Sequence, residues 1–173
     1  MKKTRLYIAL STTLLVTTIC SAQIGFKTIQ KDFDKLSGNW GGSLTYLDYS
    51  SGKPYTMPAD IEIKRIGNTN KFVFSNIYPN ETSANSMDTI SISKDGKYID
   101  KELVKSRRKL PNGDIEIITE EFGKDGNDHK PAIIRHTYTL GTTTYKNRKD
   151  VQFTGKTEWI NRHEYSYQKK PSR

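Results

Sequence analysis

Cysteine is almost absent from this sequence. The only one is Cys20, so the chain beyond it can form no disulfide and has no thiol chemistry. Internal repeats, low-complexity tracts and linkers are also missing, which predicts a single domain. Catalytic motifs are missing too, because Ser43 and Ser91 fall in predicted strands without the elbow sequence of a serine nucleophile. An enzyme is therefore less favoured than a binding protein.

Acidic residues are missing from residues 1–22, where basic residues precede an apolar run at 7–16. This order is typical of a secretory signal, and the run is too short to anchor the chain permanently in a bilayer. Small residues before Gln23 predict cleavage after Ala22. We expect a secreted or periplasmic protein with one domain over residues 23–173 and no integral membrane segment after cleavage.

Lipid anchoring at Cys20 is the alternative to soluble export. The residues before this cysteine are Thr17, Thr18 and Ile19. A lipobox instead begins with a large aliphatic residue and places a small one directly before the cysteine. Soluble export is therefore favoured over a lipoprotein.

A coherent basic surface is also missing, although the formal net charge is +9. Basic residues are scattered, apart from short clusters at 105–109 and 169–170. A nucleic-acid-binding protein concentrates its basic residues on one face and interleaves them with aromatic residues. The sequence therefore predicts no nucleic-acid partner, and it identifies no protein partner.

Short segments that alternate apolar and polar residues fill the chain from residue 40 onward. Such alternation predicts strands, and Asp-Gly at 95–96 and Asn-Gly at 112–113 predict hairpins between them. The predicted strands cover 40–49, 59–66, 71–78, 89–93, 97–104, 103–110, 115–122, 132–140, 143–153 and 157–168. A short helix or turn is predicted before them, because Ile29, Phe33 and Leu36 are spaced as on one helical face.

This pattern predicts an all-β fold, a single antiparallel up-and-down barrel of about 8–10 strands. Gly38-Asn39-Trp40 opens the first strand and resembles the short signature of the lipocalin-like (calycin) barrels. The resemblance implies that Gly38 bends the chain into the barrel floor and that Trp40 plugs it. In that family a late arginine packs over the tryptophan. Here strict alternation turns Arg162 away from the face of Trp159.

The resemblance also implies an activity, the non-covalent binding of a small apolar or amphipathic molecule in the barrel. Polar residues that share a strand face with aromatic residues are the candidates for orienting such a ligand. The candidate ligand-binding residues are Tyr46, Phe72, Phe74, Asn76, His136, Tyr138, Trp159, Asn161, His163 and Tyr165. The alternative is structural: inward polar groups bond to one another or to water, or lie at the open rim.

No cofactor or metal is predicted. His136 and His163 have no clear carboxylate partner for a metal, and residues 124–128 lack the later glutamate of a calcium loop. Glu120 and Glu121 are adjacent in a strand and face opposite ways, so they cannot form a catalytic pair.

Other function classes stay open. One is a cell-envelope interaction or inhibitor module without a ligand cavity, which an exposed aromatic patch would favour. Another is a calycin-type enzyme, which requires titratable groups that converge in the cavity. A third is a haem binder, for which the resemblance indicates His163.

Overall fold

The computed structural model describes residues 26–48 and 51–171. The predicted signal segment, its cleavage point and Cys20 lie outside the described residues. Within the described part, no helix is long and apolar enough to cross a membrane.

One short helix precedes ten strands. The helix is α1 (Phe26–Asp34), and a single 3-10 turn (Thr82–Ala84) follows the third strand. The strands are β1 (Gly38–Asp48), β2 (Lys53–Arg65), β3 (Lys71–Ile77), β4 (Ser86–Ser91), β5 (Tyr98–Ile99), β6 (Glu102–Lys109), β7 (Ile115–Asp125), β8 (Lys130–Leu140), β9 (Thr144–Phe153) and β10 (Ile160–Lys169).

All ten strands belong to one antiparallel sheet in the order β4-β3-β2-β1-β10-β9-β8-β7-β6-β5. Its two edges meet where Ile92 forms a bridge with Ile99, and the Asp100 backbone N–H donates to the Ser91 carbonyl at 2.7 Å. The sheet thus curls into a nearly closed up-and-down barrel, and the predicted fold class is confirmed.

The predicted hairpins are present, but several strand limits differ. The Gly113 N–H donates to the Leu110 carbonyl at 2.9 Å and forms the β6–β7 turn. The strand predicted at 97–104 is broken at Asp100, whose φ is +54° and whose carboxylate accepts from the Ser91 N–H at 2.7 Å. This contact between Asp100 and Ser91 could not be predicted from the alternation of apolar and polar residues in the strand.

β2 begins at Lys53, well before the predicted start at residue 59, and it contains two prolines. β3 pairs with β2 only from Asp60 onward, so one side of residues 53–59 has no neighbouring strand. Proline is tolerated where the missing N–H faces an unpaired edge. Pro54 and Pro58 therefore stay within the strand.

The helix closes one end of the barrel. Ile29, Phe33 and Leu36 are fully buried, as their helical spacing predicted. Trp40 is fully buried beside them, and its indole Nε1 donates to the Leu36 carbonyl at 2.7 Å. Gly38 has a φ of +125° at the entry to β1, a conformation that favours glycine. The helix and the start of β1 thus form the floor.

Candidate functional site

The barrel is filled near the floor and hollow above it. A cavity of about 150 Å³ lies between β2, β3 and β4 on one side and β9 and β10 on the other. It is lined by Ile61, Phe74, Asn76, Asp88, Ile90, Tyr145, Asn147, Tyr165 and Tyr167. Below it, Phe33 packs against Phe72 and Tyr138 with both ring centroids at 5.8 Å.

Three of the predicted residues line this cavity: Phe74, Asn76 and Tyr165. Phe72 and Tyr138 are buried in the packed core instead, where α1 occupies the space a ligand would need. Their contact with a ligand stays a prediction.

Three further predicted residues lie on the inner face of their strands, above the packed core: Tyr46, His136 and His163. Tyr46 pairs with His163 across β1 and β10, and Lys149 separates His163 from His136 in the register. These residues are near the open end, outside the set that lines the cavity. The structure thus brings part of the predicted site together and leaves part of it at the rim.

Trp159 and Asn161 lie outside the barrel wall. The register of β10 shifts between Asn161 and His163, so strict alternation fails there. Trp159 stacks beneath the Arg135 guanidinium at 3.8 Å, and the Asn161 amide donates to the Asp150 carboxylate at 3.3 Å. Their predicted place on the inner wall is therefore corrected.

The shift also decides the position of Arg162, which donates to the Asp125 carboxylate at 2.6 Å near the open end. It is far along β10 from Trp40, which pairs with Lys169. The cation over the Trp40 ring is the Lys169 ammonium, at 5.0 Å from the ring centroid. Lys169 thus occupies the place that the family resemblance gives to an arginine.

Asp88 and Asn147 line the cavity, but the sequence interpretation missed both. Asn147 shares the inward face of Tyr145, and that alternation could have identified it. Asp88 had no such signal, because it lies beyond the predicted strand at 89–93. The first four residues of β4, Ser86 to Thr89, are all exposed, and Met87 is 72% exposed, so no apolar–polar alternation marks Asp88 as a lining residue.

Hydrogen bonds fix most polar groups of the cavity. The Asn76 amide donates to the Asp88 carboxylate at 2.9 Å and to the Ser86 hydroxyl at 3.1 Å. The hydroxyls of Tyr78 and Tyr165 are 2.8 Å apart. Asn147 Oδ1 is different: it is buried and has no hydrogen-bond partner in the described part of the chain. A buried acceptor without a donor is costly, so this atom marks a place for a donor.

A second cluster of polar side chains surrounds His136 on the β6–β8 side of the interior. The Nδ1 atom of His136 lies 2.8 Å from Glu102 Oε1, and the Thr119 hydroxyl donates to the same carboxylate. Burial raises the pKa of Glu102, but the hydrogen bonds from His136 and Thr119 outweigh it and lower the pKa overall. These groups converge as acid–base chemistry requires, yet they do not line the cavity.

His163 is held neutral at the open end. Burial lowers its pKa to about 4, and the positive charges of His136 and Lys149 add to this effect. Its ring contacts Tyr165 with the centroids 5.4 Å apart. In the residues the structure describes, no group of three His, Cys, Asp or Glu side chains is placed to hold a metal ion.

The depressed pKa of His163 predicts acid sensitivity of the fold. Unfolded histidine titrates near 6.5, so between pH 6.5 and pH 4 the unfolded chain binds a proton that the folded chain does not. His163 therefore does not lower the free energy of unfolding above pH 6.5. As the pH falls from 6.5 to 4, the loss of free energy of unfolding due to His163 grows to about 3 kcal/mol. We expect His163→Asn to reduce the stability lost between pH 7 and pH 4.5 by about 2 kcal/mol, measured by urea unfolding.

His129 provides the matched control. It is exposed on the β7–β8 turn with a φ of +49°, which asparagine tolerates. His129→Asn is expected to leave the pH dependence of stability unchanged. Equal pH profiles for the wild type and His163→Asn would contradict the proposed burial penalty.

Two larger hollows lie away from the barrel interior, with volumes of about 620 and 660 Å³. The first surrounds the β7–β8 turn, where Asp125 is paired with both Lys149 and Arg162. The second lies outside β1 and β2, where Asp60 pairs with Lys170. The acidic groups of both hollows are thus already neutralised by neighbouring side chains.

Comparison with known proteins assigns the chain to no family. No protein-family model matches it, and no curated protein matches it. Among solved structures it is similar to the crystal structure of Rv2717c from M. tuberculosis, with 11% identity over 82% of this chain and 96% of that chain and a TM-score of 0.48.

Proposed function

We propose that this protein binds a small, partly aromatic molecule in the cavity above the barrel floor. The observation that carries the proposal is the buried, unpartnered Asn147 Oδ1 in a cavity walled by Phe74, Tyr145, Tyr165 and Tyr167. Apolar walls supply affinity, and a few polar groups orient the ligand. The cavity has both, since its walls are mainly aromatic and a few of its lining residues are polar.

The volume limits the ligand. A protein cavity of roughly 150 Å³ holds benzene, whereas pockets for drug-sized ligands measure roughly 300–1,000 Å³. The cavity here, at about 150 Å³, therefore suits a single substituted ring. A fatty acid or haem is larger than this space, so the compact ligand is favoured over both.

We also propose that the barrel is related to the lipocalin-like barrels and that the protein is exported. The Gly38-x-Trp40 signature at the start of β1 and the antiparallel meander support the relationship. The basic and apolar order of residues 1–22 supports export to the periplasm or medium. Mass spectrometry of the exported protein should find Gln23 at the N-terminus; a lipidated Cys20 would contradict soluble export.

Filling the cavity is expected to abolish binding. Ile90→Trp places a large ring among the lining residues, and we expect it to lower the affinity for toluene and benzyl alcohol by at least tenfold, read from NMR chemical-shift titration. Ile77→Trp makes the same change on the outer face of β3, where Ile77 is 41% exposed, and should leave binding intact. Absence of binding to the wild type, or equal binding to Ile90→Trp, would contradict the proposal.

A further inference from the structure

We propose that the ligand of this cavity is a cationic amine, whose aromatic body fills the cavity and whose ammonium group contacts Asp88. The inference rests on the proposed function and names the chemical class that the site selects. It follows from three features of the cavity: a lining carboxylate without a basic partner, a buried acceptor without a donor, and aromatic walls.

Asp88 is the first feature. Its carboxylate accepts a hydrogen bond from the Asn76 amide at 2.9 Å, and no Lys, Arg or His in the described part of the chain lies within ion-pair distance of it. Acidic residues elsewhere on the barrel, such as Asp32 and Asp125, are paired with basic ones.

The orientation of β4 strengthens this point. Met87 is 72% exposed, and Asp88, the register partner of Phe74, is also exposed but is one of the residues that line the cavity. The register that pairs Phe72 with Ile90 fixes both positions. The Asp88 carboxylate therefore lies on the solvent-exposed side of the cavity, where it can contact the ammonium group of a bound ligand.

The remaining polar groups of the cavity also favour a donor. Asn147 Oδ1 is an acceptor without a partner, and no basic side chain lines the cavity. Burial raises the pKa of Tyr165, and the negative charge of Asp88 adds to this effect. The Tyr165 hydroxyl thus stays neutral at pH 7, and the charge among the lining residues comes from the Asp88 carboxylate.

The aromatic walls complete the site. Tyr167 stacks on Tyr145 and on Tyr165 with centroids 5.5 and 5.8 Å apart, and Phe74 lies against Tyr145 at 6.5 Å. Aromatic rings attract cations through their quadrupole, as well as packing against an apolar body. A carboxylate beside such rings recognises an ammonium group and repels a carboxylate ligand.

A series of ligands of one shape tests the proposal: toluene, benzyl alcohol, benzylamine and benzoate, each titrated by NMR at pH 7. We expect benzylamine to bind about fivefold more tightly than toluene, since Asp88 is partly exposed to solvent. Benzoate should bind more weakly than toluene. This ranking on the wild-type protein needs no variant to fold.

Asp88→Asn keeps the shape and removes the charge. It is expected to abolish the preference for benzylamine over toluene. Asp60→Asn, on the outer surface, should leave that preference unchanged. Toluene binding that Ile90→Trp blocks, with no preference for benzylamine, would overturn the amine proposal and support the proposed function. No binding of any member of the series would overturn both.

Discussion

Gly42→Ala is expected to destabilise the barrel by about 3 kcal/mol or more. A Cβ atom at Gly42 would lie 2.0 Å from the Ser166 carbonyl oxygen and 2.8 Å from the Tyr167 Cα. Both are backbone atoms of β10, so no side-chain movement relieves the clash. β1 and β10 join the two ends of the meander, and separating them breaks main-chain pairing across the barrel. Urea unfolding followed by circular dichroism measures the loss.

The neighbouring glycine supplies the control. A Cβ at Gly41 would meet the Lys170 Cε at 2.6 Å and the Asp60 Oδ1 at 3.2 Å, which are ends of flexible side chains. Gly41→Ala should therefore change the free energy of unfolding by less than about 1 kcal/mol, since lower backbone entropy of the unfolded chain offsets the small rearrangement. If the two variants were equally stable, the close approach of β1 and β10 at Gly42 would be refuted.

Arg107→Met is expected to cost about 3 kcal/mol of stability. Arg107 Nε and Nη2 donate to the two carboxylate oxygens of Asp32 at 2.6 and 3.0 Å, and the Asp32 side chain is only 3% exposed. Asp32 lies on α1, so this pair attaches the floor helix to β6. Without Arg107, the carboxylate stays buried beside the half-exposed Lys35 ammonium, 3.5 Å away.

The adjacent residue is the control for this second prediction. Arg108 forms a pair with Glu116 at 2.6 Å, but its side chain is 66% exposed. Solvent screens such a pair, so Arg108→Met should leave the free energy of unfolding almost unchanged. Combining Arg107→Met with Asp32→Leu should recover most of the loss, because an apolar pair leaves no charge buried. A double variant as unstable as Arg107→Met would contradict this explanation.

Much of the barrel could be predicted from local pattern. Ile29, Phe33 and Leu36 have helical spacing, and they are buried on one face of α1 and the turn after it. The turn residues at 95–96 and 112–113 predicted the hairpins that join β4 to β5 and β6 to β7. Both signals act within a few residues of the chain. They do not depend on which strands become neighbours.

The candidate site was predicted only in part, and the residues show why. Phe74, Asn76 and Tyr165 follow regular alternation, which places them on the cavity wall. Trp159 and Asn161 precede a register shift that reverses the faces they would otherwise occupy. Asp88 lies in a segment where the charged residue and the apolar Met87 are both exposed. Hydrophobic pattern alone assigns such residues wrongly.

The sequence by itself thus determined the antiparallel meander, its main turns and the inward face of each regular strand, because period-two alternation and turn chemistry are local. Only the tertiary structure decided where β10 shifts register, which cation covers Trp40 and how much of the interior α1 fills. These depend on side chains that are distant in the chain. The 150 Å³ cavity is what their packing leaves beside Asp88 and Asn147.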